Sequence, residues 1–140
     1  MKFWDSSALL ALVVAEPRTA AVRAAFDDDS DQTVWCLTEI EIASALARRG
    51  REDLEPMEAE HARGEVRFLS ERWRTVHSID QVRPRAIRLV NTHPIRAGDA
   101  VQLAAALVTC LERPDMLPFV CLDDRLRDAA RREGFPVLPA

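Results

Sequence analysis

The sequence predicts an α/β protein, a three-layer α/β/α sandwich built on a central parallel sheet. Three observations carry that expectation. Short apolar or β-branched runs, at residues 2–5, 33–37 and 119–122, alternate with longer helical patterns. A helical pattern follows each run directly, as in the crossover that joins parallel strands. The segment 97–111 is alanine-rich and apolar nearly all round, which suits a helix buried at the centre of a layered fold.

Taken in order, Lys2 to Asp5 reads as a first strand and Ser6 to Ala15 as a helix with few polar residues. Pro17 suits a first helical position, so a second helix is expected from there through Phe26. Asp27 to Asp31 is an acidic turn without the glycine and distal glutamate of a calcium loop. Thr33 to Leu37 is β-branched and aromatic, hence a strand. Thr38 to Arg49 is helical, and Gly50 is expected to end it. Leu54 to about Trp73 is amphipathic, as one helix or two abutting ones. Thr75 to Ile79 is a connection or a short strand. Val82 to Asn91 is helical, with Pro84 as the expected start. Phe119 to Leu122 is a strand, Asp123 to Glu133 a helix stopped by Gly134, and Pro136 to Leu138 a last strand.

Length and composition narrow the classes. A chain of 140 residues is expected to form one domain, residues 1–140. It is long enough to bury roughly 70 % of its unfolded surface without a disulfide or structural metal. The net charge of −4 argues against a general nucleic-acid coat, though not against a local basic rim. Lys2 is the sole lysine among 19 basic residues. Cys36, Cys110 and Cys121 are odd in number and lack zinc spacing. Cys36 and Cys121 lie in apolar runs and are expected to be reduced core residues. His61, His77 and His93 form no ligand motif and are read as surface or boundary residues. The apolar stretch Ala8 to Ala15 follows Asp5, Ser6 and Ser7 and runs into Glu16-Pro17, so it does not read as a signal peptide. No stretch approaches the roughly 20 apolar residues of a membrane span. The expectation is a cytoplasmic protein with no membrane partner.

Four acidic residues stand at helix beginnings: Asp5, Glu41, Asp99 and Asp123. One reading is structural. Carboxylates cap free backbone N–H groups and suit the positive end of the macrodipole. Thr38-Glu39-Ile40-Glu41 matches a capping box. The other reading is chemical. Asp5 and Asp123 each end a strand, where open α/β sheets bind ligands. Ile42, Ala43 and Leu46, and Val101, Leu103 and Leu107, would turn their helices toward the core. Glu41 and Asp99 would then stand at the rim of a partly dry crevice. Gathered carboxylates raise one another's pKa, and a hard divalent cation relieves the repulsion.

The ordered phrases resemble those of the PIN-domain ribonucleases, and more narrowly the VapC-type toxins of bacterial and archaeal toxin–antitoxin pairs. Those phrases are Asp5-Ser6-Ser7-Ala8-Leu9, Glu41 with Ala43 to Arg48, Gly98-Asp99-Ala100 with Leu103-Ala104, and Leu122-Asp123 with Leu126, Ala129-Ala130, Gly134 and Val137-Leu138. The likeness spans nearly the whole chain. It implies a PIN-like fold and an endoribonuclease dependent on Mg²⁺ or Mn²⁺. Asp5 and Asp99 would be direct metal ligands, with Glu41 and Asp123 completing the set directly or through water. It further implies an RNA substrate, a cognate protein antitoxin and a homodimer. Ser7 could donate to a ligand carboxylate or to the phosphate, or serve simply in the first helical turn. Arg48, Arg49 and Arg51 form either a basic rim for RNA or a solvated helix end. Leu9, Leu12 and Val13 belong either to a groove for an antitoxin segment or to the core. Cys121 stands where the family often has Thr or Ser, and Asp124 adjoins Asp123. Two other functional readings stay open: an RNA-processing nuclease of the same fold without an antitoxin, and a non-catalytic α/β binding module whose acids are caps. A phosphatase using Asp5 as nucleophile is disfavoured, because position 7 is Ser7 rather than a second aspartate.

Overall fold

The structure, a computed structural model, describes residues 1–140. Its elements run β1 (Lys2–Trp4), α1 (Ser6–Val13), α2 (Thr19–Asp28), β2 (Gln32–Trp35), α3 (Thr38–Glu52), α4 (Pro56–Ser70), β3 (Arg74–Val76), α5 (Ile79–Thr92), α6 (Ala97–Thr109), β4 (Phe119–Val120), α7 (Asp124–Glu133) and β5 (Val137–Leu138). A single 3-10 turn, Pro114–Met116, leads into β4. The strands form one sheet in the order β3-β2-β1-β4-β5, and every pairing is parallel. The α/β/α expectation is met.

Side-chain alternation along the strands builds the two cores. Phe3, Trp35, Phe119 and Cys121 face α5, α6 and α7. Trp4, Val34 and Val120 face α1 to α4. Phe3 stacks on Phe119 at 5.5 Å between ring centroids, fixing the register of the central pair. The chain winds outward from β1 through β2 to β3, then returns across β1 to β4 and β5. The sheet therefore reverses its winding between β1 and β4, the place where such sheets open a crevice at the carboxyl ends of their strands.

Several boundaries differ from the sequence expectation. Gly50 does not end α3, which runs on to Glu52. The stop comes at Asp53, whose carboxylate takes Arg49 Nε at 2.8 Å. Pro17 lies in a turn and α2 begins at Thr19. The Thr19 hydroxyl holds that turn, donating to Ala11 O and accepting from Glu16 N. Pro84 does not start α5 but sits inside it. Pro84 is exposed, so water can take the Asp80 carbonyl it leaves unpaired. Val82, Ala86 and Leu89 meanwhile anchor the helix in the core. The segment after Leu54 is one helix, α4, with Pro56 at its first turn, and residues 74–76 are a true edge strand. The buried helix stops at Thr109, before Leu111 and Glu112 take positive φ.

One side chain is more buried than expected and one less so. His93 is buried, its Nε2 2.7 Å from Glu133 Oε1, while Arg88 grips the same carboxylate with two bonds. This cluster ties α5 to α7, and the Arg88 guanidinium, with the His93 hydrogen bond behind it, holds the Glu133 carboxyl below its ordinary pKa. Lys2 is also buried, bonding Ala25 O and Asp28 at the end of α2. Ala43 is exposed rather than core-facing. No helix is long and apolar enough to cross a membrane.

Candidate functional site

Asp5 leaves β1 and caps α1, its Oδ2 accepting from Ser7 N at 3.0 Å and from the Ser7 hydroxyl. Asp123 leaves β4 and caps α7, accepting from Leu126 N at 2.9 Å. Asp99 is the third residue of α6 and takes only a long 3.4 Å bond from Arg96 N. Glu41 caps nothing. Leu37 is the N-cap of α3, and the expected capping box with Thr38 does not form. Instead Glu41 Oε1 accepts from Gln102 Nε2 at 2.8 Å, and its Oε2 accepts from the Ser6 hydroxyl at 3.2 Å. The structure brings all four acids to one open cleft of about 560 Å³, with Ser6, Ser7, Leu10, Ile40 and Arg48 on its walls.

Charge in this cleft is held at a cost. Asp5 is only 3 % exposed, and burial pushes its pKa up, with Asp99 adding repulsion and the Ser7 bonds partly offsetting it. Burial raises Glu41 as well, aided by the charges of Asp5 and Asp99. Asp99 is raised by burial and then by Asp123. Each of these acids therefore feels another one across the cleft. No three of them stand as a ready-made metal cluster in this arrangement. The donor set is nonetheless all oxygen and negatively charged, and its mutual repulsion is what a hard cation would relieve.

Support comes from behind. Ser7 Oγ accepts from Leu122 N at 3.0 Å, so one hydroxyl joins the ends of β1 and β4 around Asp5. Cys121 is buried, its Sγ 3.5 Å from Asp5 Oδ2 and 3.7 Å from Ser7 Oγ. Burial and the Asp5 charge push its thiol pKa far up, so it stays a neutral neighbour of the carboxylate. Asp124 is exposed and stands off the cleft, whereas Asp123 lines it. Of the three arginines ending α3, Arg48 lines the cleft and Arg49 is paired with Asp53. Arg51 is exposed away from it. Arg96 and Arg125 do not line the cleft, but their charges act on Asp99. Gln102 and Ser6 were not singled out from sequence. A glutamine inside an otherwise apolar helix was the one available signal for the first; Ser6 offered none.

A PIN domain family model matches residues 2–132. The chain belongs to the PIN domain family. Among solved structures, this PIN chain resembles that described as FitAcB from Neisseria gonorrhoeae, with a TM-score of 0.65 at 18 % identity, covering 98 % of this chain and 96 % of the other. At that identity the likeness is one of fold. No curated protein matches the chain.

A second cleft, of about 650 Å³, lies between the end of α1, α2 and α4. Leu12, Val13 and Val14 form its floor and Leu54 and Met57 its flank. Leu9, by contrast, is wholly core. The two sequence alternatives for these residues thus divide: Leu9 is core, and Leu12 and Val13 are buried beneath a groove.

Proposed function

We propose that this PIN-domain chain is a Mg²⁺- or Mn²⁺-dependent endoribonuclease and the toxin of a type II toxin–antitoxin pair acting in the cytoplasm. The observation that carries the nuclease reading is the convergence of Asp5, Glu41, Asp99 and Asp123 on one cleft at the switch point of the sheet. Asp5 and Asp99 would hold the cation, with Glu41 and Asp123 completing its surroundings directly or through water. The ion, when bound, supplies a water of lowered pKa and positive charge opposite the scissile phosphate.

The protein's own residues supply the remainder. The Ser7 hydroxyl and amide fix the Asp5 carboxylate, and the Leu126 amide fixes Asp123. Arg48 offers a cation to the RNA backbone from the α3 wall, and Arg96 and Arg125, whose charges act on Asp99, offer two more. Leu10 and Ile40 give a base an apolar surface beside the acids. The groove over Leu12 and Val13, with Met57 exposed at its side, supports an apolar antitoxin segment as partner. Exposed Ile79, Ile87 and Val90 share one stripe of α5 and support a homodimer.

The deciding experiment uses purified, antitoxin-free protein with structured and single-stranded RNA. Cleavage with Mg²⁺ or Mn²⁺ is expected, lost on chelation and lost in Asp99→Asn. No cleavage of any RNA under those conditions, with no Mn²⁺ binding by titration, would return the acids to the role of helix caps in a binding module. Growth arrest on expression, relieved by the product of an adjacent small gene, separates a toxin from an RNA-processing enzyme.

A further inference from the structure

Gln102 is fully buried in α6, flanked by Ala100 and by the apolar run Leu103 to Leu107. Its Nε2 donates both to Glu41 Oε1 at 2.8 Å and to Thr38 Oγ1 at 2.9 Å. Its Oε1 is buried with no partner at all. An orphaned buried acceptor costs free energy, and an apolar side chain of the same length would avoid it. Turning the amide over would not help, because Oε1 would then face the Glu41 carboxylate, acceptor against acceptor. Stability of the helix therefore does not explain an amide at this position. What the amide delivers is a donor aimed at Glu41.

We infer that Gln102 is a positioning residue, setting the orientation of the Glu41 carboxylate toward the cleft; this rests on the nuclease reading above. Glu41 stands on α3, Gln102 on α6 and Ser6 on α1. Gln102 takes one Glu41 oxygen and Ser6 the other. A glutamate otherwise free about several bonds is thereby held at the meeting of three helices. Each carboxylate oxygen keeps a further lone pair for a cation or its water. Hydrogen-bond partners of ligand carboxylates commonly govern affinity or activity by about 10- to 100-fold.

The test compares wild type with Gln102→Met, which keeps the length and loses the donor, and with Thr38→Val, which removes one of the two bonds the amide makes from α6 to α3 but leaves the one to Glu41. Each is titrated with Mn²⁺ and assayed for RNA cleavage. Gln102→Met is expected to fold, to bind Mn²⁺ about tenfold or more weakly, and to lose kcat with little change in KM for RNA. Thr38→Val is expected to keep the wild-type Mn²⁺ affinity. Should Gln102→Met not fold, Gln102→Asn, whose amide is too short to reach Glu41, is judged by the same criteria. Wild-type affinity and kcat in the Gln102 variant would overturn the inference. So would an equal loss in Thr38→Val, which would make the amide a helix tether only. A wild-type protein that neither binds Mn²⁺ nor cuts RNA overturns the nuclease reading itself and this inference with it.

Discussion

Asp5 is a carboxylate kept where its charge is disfavoured, and Glu41 and Asp99 share that condition. All three have folded-state pKa values raised above their ordinary ones, so between the ordinary and the raised values the folded chain binds more protons than the unfolded chain. Their contribution to stability is whole below the ordinary carboxylate pKa and is lost as pH climbs through the raised values. The cluster's share of metal-free stability should therefore fall as pH rises through the carboxylate range, against the opposite trend from the depressed Glu133. Thermal midpoints in chelator at stepped pH check this; a cluster contribution that grows with pH would refute it. Asp99→Asn removes one of the repelling charges, and should raise metal-free stability by up to about 1 kcal/mol while abolishing Mn²⁺ binding. Arg48→Ala should leave Mn²⁺ binding alone, raise KM for RNA, and reduce the salt dependence of RNA binding by about one phosphate contact. At this scale the sequence was legible where position carried meaning. Asp5 directly follows β1 and Asp123 lies just beyond β4, so both could be placed at the carboxyl ends of the strands. His93 and Gln102 could not be placed, because what buries each is a partner distant in sequence, Glu133 and Glu41.

The helices were legible in type and less so in extent. Gly50 and Pro84 were read as boundaries, yet both lie inside helices, because propensity is a weak influence beside an apolar face already committed to the core. Ile42 and Leu46 hold α3 down before Gly50 is reached. Gly50 and Gly134 then make opposite predictions for the same change. A Cβ at Gly50 meets nothing within 4 Å, and the backbone is helical. Gly50→Ala should stabilise by about 0.5–1 kcal/mol. Gly134 ends α7 at φ 102°, and a Cβ there would come 3.2 Å from Pro114. Gly134→Ala should destabilise by about 1–2 kcal/mol. Denaturant midpoints of the two variants, measured together, check both signs.

For the whole molecule, alternation of strands and helices was enough to predict the layered architecture. Strand order was not, since hydrophobic patterning says which face of a strand is buried but not which strand lies beside it. That order places the winding reversal between β1 and β4 and hence the acids in one cleft. A cation bound there ties separate elements together. At about 100 times its Kd it should add about 2.7 kcal/mol of stability. A thermal midpoint raised by several degrees in Mn²⁺, and unmoved in Asp99→Asn, is the expected result.

The pairing of β1 with β4 has a consequence for synthesis. Residue 5 is made long before the strand that completes its side of the sheet, which ends at residue 120 and brings Asp123 with it. Until then the Asp5 amide has no Val120 carbonyl to bond, and the central strand has one neighbour instead of two. A nascent chain stalled before β4 carries three of the four acids on an unfinished sheet. The cleft is thus withheld until β4 and Asp123 have been made, so a message interrupted before them yields fragments without the complete cleft.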